Sequence, residues 1–406
     1  MKRDASIPEP TEATATLRVA IVSPRYGAEI GGGAEGLARS IAHLISDVHD
    51  VTVLTTCATD YRTWANNFPP GSSDDGPVRV FRFPVDAIRD MEHFDAISPM
   101  AYANPSDLSL GTEWMEAQGP SSSGLRDHLR SASARYDCVI FIPYLYATTQ
   151  GLLVADVPTI LVPCAHDEPP FVQHVFDNLF ARASGLVFNT PEEQALVVDR
   201  FPQLAETQQV ISGAIAPPDM HDGRAFRESF QLDERPYIVC VGRIEPSKGT
   251  HWIVDQWPRL HERHPTTSLV LIGHEHVPVP RHPGIIVTGF VDEATKLSAI
   301  AGSSLVVLPS EYESLSIVAL EAWLQGRPTL ANAASPVLVG QTTRSDGGLW
   351  YQNEAEYQHL ADFLIDYPMV GNVLGAQGHR WARVESSPVT VRTRWIEMIR
   401  VVAISD

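Results

Sequence analysis

Lysine is nearly missing from this chain: Lys2, Lys248 and Lys296 stand against 27 arginines, so a lysine inside a motif is worth notice. Runs of clustered basic residues are also missing. Thirty basic side chains against 49 acidic ones leave a formal charge of −19. Residues 1–210 hold 14 basic and 27 acidic groups and the remainder 16 and 22, so neither half is a basic arm. Such a surface repels nucleic acid and anionic lipid. The four cysteines, Cys57, Cys138, Cys164 and Cys240, lack C-x-x-C spacing and lie in or beside apolar runs, which suits buried thiols better than a metal or redox centre. No Asp-x-Asp occurs. The longest uncharged stretch, Val139 to Ala155, is broken by Pro143 and Gly151, so no membrane span is expected. The first residues, MKRDASIPEPTEATAT, have no apolar h-region; with the free cysteines this points to a reducing cytoplasm.

What is present is core-forming material. The 406 residues are 44% hydrophobic and 19% charged, enough for two or three packed domains. After a disordered tail over 1–16, short apolar runs at 17–22, 51–55, 78–83, 138–142, 159–164 and 185–188 alternate with helical stretches, beginning with Ala34 to Ile45. Uninterrupted apolar strands between helices signify a parallel sheet covered on both faces. The series restarts at 237–241, 268–272, 285–287, 304–308 and 329–330, with helices near 250–264, 292–300 and 315–325.

The expected fold is therefore α/β, with two tandem doubly wound, Rossmann-like domains facing across a cleft. They would occupy 17–210 and 218–388, with a small, Pro-punctuated hinge at 211–217. A last helix within 389–406 would return to the N-terminal domain. Residues 61–135 read poorly apart from the run at 78–83; Pro69-Pro70-Gly71-Ser72-Ser73, the Ser/Pro stretch 98–108 and Gly119-Pro120-Ser121-Ser122-Ser123-Gly124 mark long loops, expected near a substrate.

Gly31 to Gly36 matches G-x-G-x-x-G, the dinucleotide fingerprint. Its context is wrong, because about eight residues separate the strand end from the first glycine and the second strand ends without an acidic residue to hold a ribose. A weaker reading survives. Gly32 and Gly33 at a helix start let backbone N–H groups approach an anion; the bland alternative is a plain loop.

The second domain opens with Val241-Gly242-Arg243-Ile244-Glu245-Pro246-Ser247-Lys248-Gly249 directly after its first strand. Ligands bind at that edge of doubly wound sheets, so Arg243 and Lys248 are placed to hold a diphosphate. Further on, Glu313 and Glu321 are eight apart around Ser314, Leu315 and Ser316. With a helix starting at Ser314, eight residues rise about 12 Å and turn about 80° past two full turns, so both carboxylates can face one elongated ligand. The free N–H groups of Ser314, Leu315 and Ser316 would lie between them as anion donors. Carboxylates flanking anion donors describe a site for a nucleotide sugar. Glu321 sits among apolar Leu320, Ala322 and Trp323, which argues against an exposed helix face.

Taken together, Gly32 to Glu35 as Gly-Gly-x-Glu, Gly242 to Gly249 as G-R-x5-K-G, and Glu313/Glu321 as E-x7-E occur in order. On these the chain, from about residue 17 to about 400, resembles the GT-B glycosyltransferases of family 4. The resemblance implies a retaining transferase taking a sugar from a nucleoside diphosphate without a metal or other cofactor. It puts Arg243 and Lys248 on the diphosphate, Glu313 on donor-sugar hydroxyls and Glu321 on the ribose. Gly289, Phe290 and Val291 would hold the base, and His166 would lie beside the donor sugar. The acceptor would be a glycan, a lipid-linked or a small-molecule alcohol, with at most peripheral membrane contact. The segment Gly273-His274-Glu275-His276 departs from many relatives, which carry a second glycine there. Two imidazoles without a third ligand are a poor metal site. The alternatives are a nucleotide-sugar 2-epimerase of the same fold and a non-catalytic nucleotide-sugar binding protein.

Overall fold

The computed structural model describes residues 15–215 and 221–404. The expected tail falls mostly, and the expected hinge partly, outside these residues.

The first unit contains β1 (Arg18–Val22), α1 (Gly33–Ile45), β2 (Asp50–Thr56), β3 (Gly71–Asp75), β4 (Val78–Phe83), α2 (Met91–Ala103), α3 (Leu108–Gln118), α4 (Ser123–Leu129), β5 (Cys138–Phe141), β6 (Thr159–Leu161), α5 (Asp177–Arg182), β7 (Gly185–Phe188), α6 (Pro191–Arg200) and β8 (Gln208–Val210). Its strands run in the order β3-β4-β2-β1-β5-β6-β7-β8. All neighbours are parallel except the β3/β4 pair. Side-chain alternation divides each central strand between two cores: Ala20 and Val22 pack on one face of β1, Val19 and Ile21 on the other.

Two sequence expectations fail in this unit. Residues 71–75, GSSDD, are an exposed antiparallel edge strand rather than a loop. The stretch expected as loops over 61–135 holds three helices. Asp90, Asp107 and Ser122 cap α2, α3 and α4 through their side chains, and Pro99 lies inside α2. Side-chain caps satisfy the orphan N–H groups that polar loop-like residues would otherwise compete for.

The second unit contains α7 (Arg224–Ser229), β9 (Tyr237–Val241), α8 (Thr250–Arg263), β10 (Ser268–Ile272), β11 (Ile285–Gly289), α9 (Glu293–Gly302), β12 (Leu305–Leu308), α10 (Ile317–Leu324), β13 (Thr329–Asn332), α11 (Pro336–Ser345), β14 (Gly348–Tyr351), α12 (Glu354–Asp366), α13 (Pro368–Glu385) and α14 (Pro388–Ile404). Its six strands are all parallel in the order β11-β10-β9-β12-β13-β14. That is a doubly wound arrangement with its switch point between β9 and β12, where such folds bind ligands.

Helix α14 leaves this unit. It buries Val391, Trp395, Met398, Ile399 and Val402, one helical stripe, in the same core as Val19, Ile21 and α1 of the first sheet. Arg392 pairs there with Asp47 at 2.7 Å. Among the described residues no helix is long and apolar enough to cross a membrane.

Candidate functional site

The loop after β9 carries Arg243 and Lys248. A single 3-10 turn over Pro246–Lys248 lifts the lysine, and Gly249 (φ 70°) then starts α8. A Cβ at Gly249 would collide with the Pro309 carbonyl at the end of β12, so only glycine lets the two strand ends approach this closely. Each cation has a carboxylate of its own. Lys248 Nζ lies 3.1 Å from Glu313 Oε1, and Arg243 Nη2 lies 3.1 Å from Glu245 Oε1. Arg243 also stacks over Tyr61 of the first unit, 5.2 Å from the ring centre. Tyr61 carries Arg25 at 5.6 Å as well, so one ring is bracketed by guanidiniums from both sides of the cleft.

The segment between Glu313 and Glu321 differs from the sequence expectation. Helix α10 begins at Ile317 because Ser316 is its N-cap, its Oγ accepting from the Ala319 N–H. The Ser316 N–H itself donates to Gln341 Oε1 of α11 at 3.0 Å, so it is not a free anion donor. Among the described residues the N–H groups of Ser314 and Leu315 have no acceptor. Glu313 lies outside the helix, and the geometry expected from eight helical residues does not apply. Glu321 does sit in α10, where it is buried. Its Oε1 is 2.8 Å from Lys296 Nζ, while its enclosed Oε2 has no hydrogen-bond partner. Burial pushes this carboxyl up and Lys296 opposes the shift. The two lysines of the described chain thus take one carboxylate each of the E-x7-E pair.

His166 follows β6 on the facing unit. Cys164 precedes it at φ 53°, in the left-handed region, and the turn is fastened by Glu193 of α6. That carboxylate accepts from the Ala165 N–H at 2.7 Å and from the Asn189 N–H at 2.6 Å. Burial raises Glu193 to about 8 even so. The His166 ring lies 5.7 Å from Tyr312 of the second unit. Burial first, and the nearby Lys248 charge second, lower its pKa to about 4, so the imidazole is neutral at ordinary pH. Beside it, Glu168 Oε1 is 3.4 Å from His166 Nδ1 and accepts from the Tyr144 hydroxyl at 3.0 Å. Burial pushes Glu168 up to about 7.

Gly32 caps α1, and Gly31 to Gly33 are exposed. Arg25 fixes this loop through Nε to Glu35 at 2.9 Å and Nη1 to the Thr59 carbonyl at 3.0 Å. At the far edge of the second sheet Gly289 has φ 72°. Phe290 is 67% exposed and stacks on His274, ring centres 4.9 Å apart and planes 9° apart. His274 therefore supplies half of a flat aromatic platform beside Val291. Thr190 Oγ1 donates to the Ser314 carbonyl across the cleft at 3.1 Å, and Arg344 Nη2 donates to Glu192 Oε2 at 3.0 Å.

The structure brings His166, Tyr312, Glu313 and Lys248 together, with Arg243 beside them over Tyr61. Glu321 and Phe290 lie further along the second sheet. Sequence reasoning missed Tyr61, Arg25, Lys296 and Gln341. Only Lys296 carried a signal, the rarity of lysine.

A pH dependence of stability follows from Glu168. Its folded pKa is raised from the ordinary carboxyl value near 4.5 to about 7. The native state therefore holds a proton that the unfolded chain gives up. The stabilisation is complete below about pH 4.5 and is lost as pH rises through about 7. Glu168→Gln, always neutral, should remove that part of the decline of Tm between pH 5 and 8. Coincident Tm curves for wild type and variant would contradict it.

Comparison with known proteins places these features. Residues 235–366 match the family of group 1 glycosyl transferases. Over 125 residues the chain is 32% identical to the alpha-D-kanosaminyltransferase of Streptomyces kanamyceticus, covering 28% of this chain and 31% of that one. It thus spans about a third of that relative's length. A glycogen synthase of Mycobacterium tuberculosis is 26% identical over 80% of this chain and 81% of its own. Among solved structures, a sucrose-phosphate synthase from Thermosynechococcus elongatus superimposes with a TM-score of 0.72 at 15% identity, over 95% of this chain and 98% of that chain. The chain has the two-sheet GT-B fold, and its residues 235–366 are similar to the group 1 glycosyl transferases.

Proposed function

We propose that the protein is a retaining glycosyltransferase that moves a sugar from a nucleoside diphosphate to a carbohydrate, lipid-linked or small-molecule alcohol. The observation that carries this reading is the meeting across one cleft of Lys248 and Glu313 with the neutral His166. A cation, hydroxyl-gripping carboxylate and uncharged imidazole are what a diphosphate, a pyranose and its anomeric carbon require of their surroundings.

Bound donor would lie along the edge of the second sheet. The diphosphate would draw Lys248 from Glu313 and engage Arg243 together with the N–H groups of Ser314 and Leu315. Freed from the lysine, Glu313 would accept from sugar hydroxyls. The unpartnered Glu321 Oε2 would accept from the ribose, and the Phe290/His274 platform would take the base. Cations and N–H dipoles suffice to stabilise the leaving charge here, so the reading needs no metal. The acceptor would enter from the first unit, which presents Tyr61 and His166 to the cleft. We place the enzyme in the cytoplasm on its free cysteines.

The test is a thermal-shift panel of UDP-, GDP-, ADP- and dTDP-sugars. A donor at 100 times its dissociation constant should stabilise by about 2.7 kcal/mol. Incubating the best donor alone should leave it unchanged apart from slow hydrolysis. Conversion to an epimeric nucleotide sugar would replace the transferase by an epimerase, and no shift with any donor would remove the donor site.

A further inference from the structure

The strands of the first sheet deliver Arg25, Tyr61 and His166 from their C-terminal ends to the cleft. Their N-terminal ends open instead into a separate cavity of about 370 Å3, a size in the range of small-ligand sites. Strand register builds its floor. Arg18 of β1 lies beside Asp50 of β2, and Thr52 lies beside Arg79 of β4. Alternation puts Asp50 and Thr52 on one face of β2, and Arg79 and Phe81 on one face of β4. Its wall comes from α4 and the turn before β5, where His128 Nε2 and the Tyr136 hydroxyl are 2.9 Å apart.

The lining of this cavity is rich in cations. In a chain of net charge −19 it gathers three guanidiniums, Arg18, Arg79 and Arg135, against one lining carboxylate, Asp50. Arg18 is spoken for, its Nη2 2.6 Å from Asp137 Oδ1. Among the described residues the Arg135 side chain is bonded only to the carbonyl and hydroxyl of Ser131, at 2.9 and 2.7 Å. The Arg79 side chain has no hydrogen bond or ion pair among the described residues, although Asp74 of β3 stands opposite it in the ladder. Neither arginine is therefore held in an ion pair among the described residues, and the charges of both act on the Tyr136 hydroxyl against the upward pull of burial.

An inorganic anion alone would not use the remaining lining. Asp50 and Thr52 offer acceptors for hydroxyl groups, and Phe81, which lies 6.3 Å from the His128 ring, offers an apolar face of the kind that covers the C–H side of a pyranose. We propose that this cavity binds a small phosphorylated sugar, with the phosphate between Arg79 and Arg135 and the sugar hydroxyls toward Asp50 and Thr52. The site is independent of the donor cleft, because five-residue strands such as β1 set the two edges roughly 15 Å apart.

Titration calorimetry with glucose 6-phosphate, fructose 6-phosphate, inorganic phosphate and glucose tests it. At least one of the two sugar phosphates should bind wild type and Lys248→Ala equally, since Lys248 lies at the other edge. Inorganic phosphate should bind at least tenfold more weakly, and glucose should not bind measurably. The Arg79→Ala/Arg135→Ala double variant should weaken the sugar phosphate at least tenfold while keeping the wild-type Tm, both side chains being exposed. Should that variant unfold, Arg79→Glu alone carries the same expectation. The proposal is overturned by equal binding in the arginine variants, by loss of binding in Lys248→Ala, by phosphate binding as tightly as the sugar phosphates, or by no binding of either sugar phosphate.

Discussion

Lys248→Ala should lower turnover about 100-fold, close to 3 kcal/mol, with Arg243→Ala of the same order. Both cations would contact a diphosphate whose negative charge grows as the glycosidic bond breaks, so their contribution is larger in the transition state than in the donor complex. Folding should survive in each case. Lys248 and Glu313 are only partly buried, with 32% and 18% of their side chains exposed, and an unpaired Glu313 keeps access to water. Arg243 loses its stack on Tyr61 and its contact with Glu245, which costs little at a half-exposed site. Steady-state kinetics with saturable donor give the measurement. Near-normal turnover in both variants would remove the anion role from this loop, and addition of a chelator to the wild type should be without effect.

The same loop shows what was legible in the sequence. Buried parallel strands read clearly because β1, β5, β9 and β12 are short apolar runs whose two faces both enter cores. The edge strand β3 did not, since GSSDD has no apolar residue and is held by pairing with β4 and by Tyr26, Arg39 and His43 on Asp75. Helices α2 to α4 hid behind Pro99 and Ser/Gly punctuation, although Asp90, Asp107 and Ser122 were the cap signals. The second unit's α11 and α12 were missed despite the same signal at Ser335 and Asn353.

Within the site, strand-end position was enough to place Arg243 and Lys248 at the edge of the second sheet, whereas His166 came from the family resemblance. The start of α10 was misjudged because Ser314 and Ser316 are equally good caps on paper. Tertiary context decided it: Thr190 takes the Ser314 carbonyl and Gln341 takes the Ser316 N–H. The partners of the carboxylates come from 65 and 25 residues away, contacts that no local pattern encodes.

His166→Ala should lower kcat roughly 100-fold, about 2.7 kcal/mol, while changing donor affinity much less. A retaining transfer has two routes. In one, a carboxylate attacks the anomeric carbon from below and a glycosyl-enzyme forms. In the other, the bond to the diphosphate breaks while the acceptor oxygen bonds on the same face, and the departing diphosphate oxygen takes the acceptor proton. The cleft favours the second. Glu313 is paired with Lys248 beside the proposed phosphate donors, where it would grip rather than attack. Glu168 is pushed up to about 7 by burial and holds the Tyr144 hydroxyl, which leaves it a weak nucleophile near neutral pH. His166, kept neutral by burial and by Lys248, can stand against the ring as positive charge develops there without adding charge of its own. Its contact would then be made chiefly in the transition state, so the loss appears in kcat. Product NMR should show the donor's anomeric configuration kept, and mass spectrometry should find no glycosyl-enzyme adduct. An inverted product would reject retention, and an adduct trapped on Asp167 or Glu168 would keep retention but replace the same-face route by double displacement.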